Sequence, residues 1–241
     1  MNRAVVLACA AALTFPFAAA AQNAPPSPVT MELNLGFVNT SGNTDVTSFN
    51  FGEKLTYKTG RWLFTQQFRA IYGETDGTPT AEAYEGSLRG DRAVAKRLTA
   101  FGFVAWNRNP FAGIAERWAE GAGMAYKAIE APRDTLTVED ALSLEQQRSV
   151  AGTDDAFTVN RAGLAYKHMF GAAAAFTQTL EWLANFDVGE DQRINSESVV
   201  TAPISKQISM RVSYLIRFDN LPEPGFEDTD RVFTTGLQIV F

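Results

Sequence analysis

The sequence predicts an all-β protein, a transmembrane antiparallel β-barrel of about 12 strands that forms after an N-terminal signal peptide is cleaved. Three observations support this fold class. Segments of strand length recur along the chain, and apolar side chains alternate with polar ones in most of them. No later apolar run approaches the roughly 20 residues of a spanning helix, so a membrane fate requires a closed barrel. The first residues have the organisation of a secretory signal.

The predicted signal peptide covers residues 1–21. Arg3 gives it a basic start, residues 4–17 are apolar, and small alanines precede an expected cleavage site of the A-x-A type. Residues 22–30 contain prolines without a periodic pattern and are expected to form a periplasmic leader. The barrel is therefore expected to occupy residues 31–241.

Composition narrows the functions open to the mature chain. Its only cysteine, Cys9, lies in the signal, so disulfides, thiolate metal sites and cysteine nucleophiles are not expected. The formal net charge of the full sequence is −6, cleavage at the signal would also remove Arg3, and no basic stripe is present, which argues against nucleic acid as a partner. We expect no cofactor.

Alternation is clearest in residues 207–219, where every second residue from Ile208 to Phe218 is apolar. If these side chains face lipid, the polar residues between them face the lumen. Other segments repeat the pattern less regularly. The predicted strands are 31–39, 46–58, 61–72, 82–92, 98–108, 117–129, 135–147, 158–168, 174–187, 193–202, 207–219 and 231–241.

The predicted connections alternate in length, as the turns and outer loops of outer-membrane barrels do. Short ones such as residues 58–61 and 94–97 are basic, whereas long ones such as residues 73–81 and 220–230 are acidic. An even strand count places both chain ends on the short-turn, periplasmic side. Aromatic girdles are predicted at both lipid boundaries. They comprise Tyr57, Trp62, Tyr126 and Tyr166 near the short turns, and Tyr72, Trp118, Phe186 and Phe218 near the long loops.

The last predicted strand, residues 231–241, has one apolar face and ends on an aromatic residue. It resembles the terminal signal of bacterial outer-membrane barrels at Thr234, Gly236, Ile239 and Phe241. This resemblance implies that the barrel assembly machinery is a partner of the final strand. The alternative is the closing strand of a secreted, soluble all-β domain.

Longer segments resemble a known family. They are SGNTDVTSFNFGEKLTYKTGRW at residues 41–62, GAGMAY at 121–126 and YLIRFDNLPEPGFEDTD at 214–230. These segments are similar, in the same order, to the salt-induced, YdiY-like outer-membrane proteins. The resemblance covers nearly the whole mature chain and implies a barrel in a Gram-negative outer membrane. Because that family is a domain of unknown function, it implies no reaction and no catalytic residues.

The polar face of the predicted strands supplies a set of lumen-lining candidates of nearly balanced charge. Paired across a narrow barrel, they would form a plug; unpaired, they would line a selective channel. The candidates are Lys54, Arg69, Glu85, Arg89, Glu139, Arg161, Glu181, Glu197, Arg211 and Arg217, with Asp91, Lys127 and Glu145 on the same faces.

Some inferred positions are unusual. Four successive inward positions from Ala119 to Ala125 are small, and we expect them to accommodate a large neighbouring side chain rather than to form a pore wall. Glu53 and Asp140 have the parity of lipid-facing residues, where a charge is unfavourable. A bulge could turn them inward, or a partner subunit could cover them.

The sequence argues against catalysis. Its only histidine, His168, adjoins a short turn and is predicted to be a hydrogen-bonded surface residue rather than a general base. Acidic residues at 226–230 match no defined calcium loop, so they are predicted to be a solvated loop that bridges divalent ions to lipopolysaccharide. No metal site is expected.

The expected function is that of a non-enzymatic outer-membrane protein, either a narrow channel or a structural barrel, linked to salt or envelope stress as the resemblance implies. The alternative is an enzyme or sensor acting on lipid or lipopolysaccharide. The expected partners are outer-membrane lipid, lipopolysaccharide and a small solute.

Overall fold

The structure is a computed structural model that describes residues 27–41, 46–75, 78–171 and 174–241. The predicted signal peptide, with Cys9, and residues 22–26 of the predicted leader lie outside the described residues. So do residues 42–45, which belong to one of the segments that carry the family resemblance.

Strands account for nearly all of the described chain. A single 3-10 turn, Pro110–Ala112, is the only helix among the described residues. No helix in this part of the chain is long and apolar enough to cross a membrane. The strands are β1 Val29–Ser41, β2 Val46–Thr59, β3 Trp62–Thr75, β4 Thr78–Ala93, β5 Leu98–Asn109, β6 Ile114–Glu130, β7 Asp134–Ser149, β8 Asp154–Phe170, β9 Ala174–Asn185, β10 Gln192–Pro203, β11 Ile208–Asp219 and β12 Thr229–Val240.

The strands form one closed barrel. Each pairs antiparallel with its neighbours in sequence, and β1 pairs with β12 to complete a ring of 12 strands. We call the pairing of β1 with β12 the seam. It runs from the Glu32–Val240 pair to the Ser41–Arg231 pair without a break in register. Closure removes every free sheet edge, which is the condition for placing strands in lipid. The predicted fold class is confirmed.

The two ends of the barrel differ. We call the end that holds the connections β2–β3, β4–β5, β6–β7, β8–β9 and β10–β11 the turn end, and the opposite end the loop end. The first residue of β1 and the last of β12 are also at the turn end. The longest connection, residues 220–228 between β11 and β12, is at the loop end.

The predicted alternation of connection lengths is weaker in the structure. The connection predicted at residues 73–81 shrinks to residues 76–77, because β3 continues to Thr75 and β4 begins at Thr78. Gly73 pairs with Ala81, and a bulge then shifts the register so that the hairpin continues. The polar residues that were predicted to form a loop here therefore extend the two strands instead.

Apolar side chains cover the outside of the barrel, as predicted. Leu88 is 61% exposed and Leu35 is 52% exposed, although both lie within strands. Aromatic residues lie near both boundaries of this apolar belt, which confirms the predicted girdles for the residues that are exposed. These are Tyr57, Trp62 and Tyr126 near the turn end, and Tyr72, Trp118 and Phe186 near the loop end.

The outward charges are not redirected by bulges. Glu53 pairs with Leu33 and Phe68 in continuous register, so it shares their outward face. Asp140 is also on the outer surface, where the Asn160 side-chain amide lies 3.2 Å from both of its carboxylate oxygens. A polar neighbour therefore offsets part of the cost of an outward carboxylate at Asp140.

Candidate functional site

A cavity of about 1560 Å³ runs inside the barrel. Its lining includes Lys58 and Arg61 at the turn end and Asn109 and Asp228 at the loop end. The structure places every lumen-lining candidate on this cavity. They are Lys54, Arg69, Glu85, Arg89, Glu139, Arg161, Glu181, Glu197, Arg211 and Arg217.

A chain of ion pairs crosses the lumen. Arg211 Nη2 lies 2.8 Å from Glu197 Oε1, and Arg69 Nη2 lies 3.4 Å from Glu197 Oε2. Arg69 Nη1 is 3.6 Å from Glu85 Oε2, and Glu85 is also paired with Arg217. We call these residues the cross-lumen chain. Each carboxylate is shared between two guanidinium groups, so no member is left unpaired in the interior.

The cross-lumen chain joins distant walls of the barrel. Arg69 and Glu85 are on β3 and β4, whereas Glu197, Arg211 and Arg217 are on β10 and β11. In the ring, β12, β1 and β2 separate these two walls on one side and β5 to β9 separate them on the other. The chain therefore divides the cross-section of the lumen and narrows any passage through it.

A second cluster surrounds Glu145, whose side chain is only 1% exposed. Arg161 donates to Glu145 Oε1 at 3.1 Å and to Glu181 Oε1 at 2.6 Å. Arg193 donates to the other oxygen, Glu145 Oε2, at 2.9 Å and lies 3.5 Å from Asp191 Oδ1. The two arginines therefore hold both oxygens of a buried carboxylate.

Sequence reasoning missed Arg117 and Arg193 as lumen residues. Arg117 has the parity of the inward Ala119, and Arg193 that of Glu197, so alternation could have found both. Each is the first residue of its predicted strand, so the pattern places it at the end of the strand and not inside the barrel. In the structure β6 and β10 begin earlier, which places both arginines inside.

Aromatic residues on β5 pack against the charged residues of the lumen and against the small residues of β6. The Arg89 guanidinium lies 3.7 Å from the Phe101 ring centroid and pairs with Glu139 at 2.9 Å. Phe103 lies against the small residues of β6, where a methyl group built on Gly121 would lie 2.8 Å from its ring. Phe101 packs with Ala125 in the same buried group. The expectation that these small positions accept a large neighbour is confirmed.

The charged residues that line the cavity differ between its two ends. At the turn end it is lined by Lys54, Lys58 and Lys167. Among the described residues, none of these lysines has a carboxylate within ion-pair distance. At the loop end Asp219 and Asp228 line it together with the cationic Arg108 and Arg117. The fixed charge along the lumen is therefore asymmetric.

The longest connection folds across the loop-end opening. Glu223 of this connection accepts a hydrogen bond at 2.9 Å from Gln147 Nε2 on β7. It also packs over Gly113, where an added Cβ would lie 2.6 Å from Glu223 Cβ. Gly113 has a φ of 79°, a left-handed conformation that favours glycine. The connection from β11 to β12 thus reaches the opposite rim and narrows the mouth.

The single histidine lies apart from this cavity. His168 Nδ1 is 2.7 Å from Asp134 Oδ1, and the Tyr166 hydroxyl donates to the same oxygen at 2.6 Å. Its ring also contacts Phe170 edge-on. His168 is thus the hydrogen-bonded surface residue that was predicted. Within the described ranges, no three His, Cys, Asp or Glu side chains group in a way that could hold a metal ion.

The residues of the predicted assembly signal all contribute to the closing strand. Thr234 is buried and accepts a hydrogen bond at 3.2 Å from Asn50 Nδ2. Ile239 lies between β1 and β11 on the outer face. The Phe241 amide donates to the Met31 carbonyl at 2.9 Å, so the final residue is tied to the first strand.

Gly236 has a structural role at the seam. It pairs directly with Gly36 of β1. A Cβ on Gly236 would overlap the Leu35 carbonyl oxygen and lie 2.5 Å from Gly36 Cα. Only glycine permits this close approach of the two strands.

Solved structures similar to this chain include two porins. The NanC porin matches with a TM-score of 0.60 at 9% identity, over 86% of this chain and 98% of that chain. The KdgM porin in complex with disordered oligogalacturonate matches with a TM-score of 0.51 at 8% identity, over 87% and 99% of the two chains. At these identities the similarity shows a shared fold.

Comparison with protein families places the chain in a family. No curated protein sequence matches the chain significantly. Residues 33–241, which include nearly the entire barrel, match a family described as "Protein of unknown function, DUF481". The chain therefore belongs to the DUF481 family.

Proposed function

We propose that this protein is a narrow, non-enzymatic channel of a Gram-negative outer membrane, with both chain ends in the periplasm. The observation that carries the proposal is the cavity of about 1560 Å³ whose lining reaches both ends of the barrel. The apolar outer belt and the closed ring of strands suit a lipid environment. The porin-like fold is consistent with this role.

The charged lumen limits what would pass. The cross-lumen chain links β3 and β4 to β10 and β11, and the β11–β12 connection covers part of the mouth. To pass, a bulky saccharide like the oligogalacturonate in the KdgM structure would require the ion pairs of the cross-lumen chain to separate. We therefore propose ions and small hydrophilic solutes as the permeating species.

The physiological setting that we propose is osmotic or envelope stress. The segments that resemble YdiY-like proteins support this setting, because those proteins are salt-induced. We also propose that the acidic loop end contacts lipopolysaccharide through divalent ions, and that the final strand is recognised by the barrel assembly machinery. Protein abundance after an osmotic upshift tests the stress link, and an unchanged level would contradict it.

A structural barrel with a closed lumen is the second candidate. The shared ion pairs at Glu85 and Glu197 favour it, because they fill part of the lumen and tie opposite walls together. Such a protein would add strength to the envelope without conducting.

Planar-bilayer recording of the refolded mature protein separates the two candidates. The channel predicts stepwise currents of small unitary conductance, which are ohmic in about 1 M salt, where the fixed charges are screened. Protein left unfolded in the same detergent is the control and is expected to give no steps. Silence of the folded protein at every voltage would overturn the channel and support the structural barrel.

A further inference from the structure

The outer surface of the barrel carries an apolar groove near the turn end. It has a volume of about 380 Å³ and lies over β2 to β5. Its floor is formed by Gly90 and Gly102, which are direct partners across β4 and β5. The Phe64 ring lies 3.4 Å from where a Cβ on Gly90 would be, whereas no side chain lies within 4 Å of a Cβ on Gly102, so the surface is indented at Gly102.

Apolar side chains form the two walls. Tyr57 and Phe64 stand on one side, with ring centroids 6.4 Å apart and planes inclined by 17°. Leu88 and Val104 stand on the other side, and both are exposed. Trp62 stacks on Phe64 at 5.7 Å and extends the aromatic wall towards the turn end. The groove is thus apolar and open outward.

A cation lies at the turn-end limit of this groove. Arg92 follows Gly90 by two positions on the same outer face, and its guanidinium lies 5.4 Å from the Trp62 ring centroid. No carboxylate pairs with Arg92 among the described residues. The neighbouring turn between β4 and β5 adds the exposed basic residue Arg97. An apolar groove that ends in an unpaired cation matches the chemistry of an anionic lipid.

We propose that this groove binds one anionic glycerophospholipid, with an acyl chain between the Phe64 and Leu88 walls and the phosphate at Arg92. Trp62 lies beside Arg92 at the level of the glycerol, where amphipathic rings are favoured. The inference rests on the membrane location in the proposed function but not on conduction. A barrel that carries no current would still bind the lipid.

The glycines allow a clean test. A Cβ on Gly102 would meet nothing closer than 3.7 Å, so Gly102→Leu fills the groove without a backbone clash. Gly86 lies on the same outer face but outside the groove, and its nearest neighbour would be 3.9 Å away. Gly86→Leu is therefore a matched control. Arg92→Gln removes the cation and keeps the groove.

Native mass spectrometry of the refolded mature protein measures the bound lipid. The probes are palmitoyl-oleoyl phosphatidylglycerol and palmitoyl-oleoyl phosphatidylcholine, added at equal concentration in detergent. The wild type is expected to retain one phosphatidylglycerol about fivefold more strongly than phosphatidylcholine, which is the effect of one interfacial cation. Arg92→Gln is expected to remove this preference, and Gly102→Leu to reduce retention of both lipids. Gly86→Leu is expected to match the wild type.

Equal retention of the two lipids by the wild type would overturn the proposal. So would unchanged retention in Gly102→Leu, or a mass shift showing a second copy of the chain in place of a lipid. Heat-modifiable electrophoretic mobility checks that each variant is folded. Failure of the wild type to fold into vesicles would instead contradict the membrane location.

Discussion

Gly36 and Gly236 face each other across the seam that closes the barrel, and neither position has room for a methyl group. A Cβ on Gly36 would lie 2.7 Å from the Thr234 side chain and 2.9 Å from the Thr235 carbonyl oxygen. The glycine in the C-terminal pattern is thus required by packing, independently of any recognition by assembly factors.

Substitution of Gly236 should weaken the closed barrel. Gly236→Ala forces the backbones of β1 and β12 apart, and we expect the free energy of unfolding to fall by roughly 3 kcal/mol or more. Urea titration of the heat-modifiable band during unfolding from detergent measures this change. Gly86→Ala, on the outer face with free space, is the control. Equal stability of the two variants would contradict the close approach at the seam.

Removal of Phe241 separates folding from cellular assembly. The residue contributes backbone hydrogen bonds to Met31 at the turn end of the seam, so deletion is expected to cost at most about 1 to 2 kcal/mol in vitro. If the assembly machinery reads this end, the same deletion should strongly reduce the folded protein in cell envelopes. Normal levels in the envelope would show that Phe241 is not part of the signal.

The buried carboxylate of Glu145 should be important for stability. Glu145→Gln leaves Arg161 and Arg193 facing a neutral group, and we expect unfolding to become easier by roughly 3 kcal/mol. Asp154→Asn makes the same chemical change in the exposed pair with Arg148, where water screens the charges and we expect almost no change in stability. Similar losses in the two variants would mean that Glu145 is not held as the structure shows.

Charge asymmetry along the lumen should rectify the current. The lysines without ion-pair partners at the turn end and the mixed charges at the loop end predict unequal currents at opposite voltages in dilute salt. In about 1 M salt, where the screening length is about 3 Å, the two currents should become nearly equal. Lys54→Gln with Lys167→Gln should reduce the asymmetry at low salt. Symmetric currents of the wild type in dilute salt would contradict this prediction.

Alternation along the strands was sufficient to predict the fold class and the inward faces. The face of Arg211 and Arg217 follows from the regular spacing of apolar residues on β11, and the structure places both on the cavity. Arg193 was not predicted because its strand contains few large apolar residues, so the pattern does not show where that strand begins. Local periodicity identifies a face but not the residue at which a strand begins.

The contacts across the lumen could not be predicted in this way. Arg69 meets Glu197 only because β3 and β10 face each other across the ring, which depends on strand number, tilt and stagger together. The path of Glu223 over the mouth likewise depends on the opposite rim at Gly113. Neither relationship has a signature in the adjacent sequence.

Unitary conductance of a lumen variant tests the channel most directly. Arg69→Ala combined with Glu197→Ala removes the centre of the cross-lumen chain, whereas Arg148→Ala combined with Asp154→Ala removes an ion pair on the exposed rim. In planar bilayers the lumen variant should show a larger unitary conductance than the wild type, and the rim variant should match the wild type. Equal conductance of all three proteins would contradict a constriction formed by these side chains.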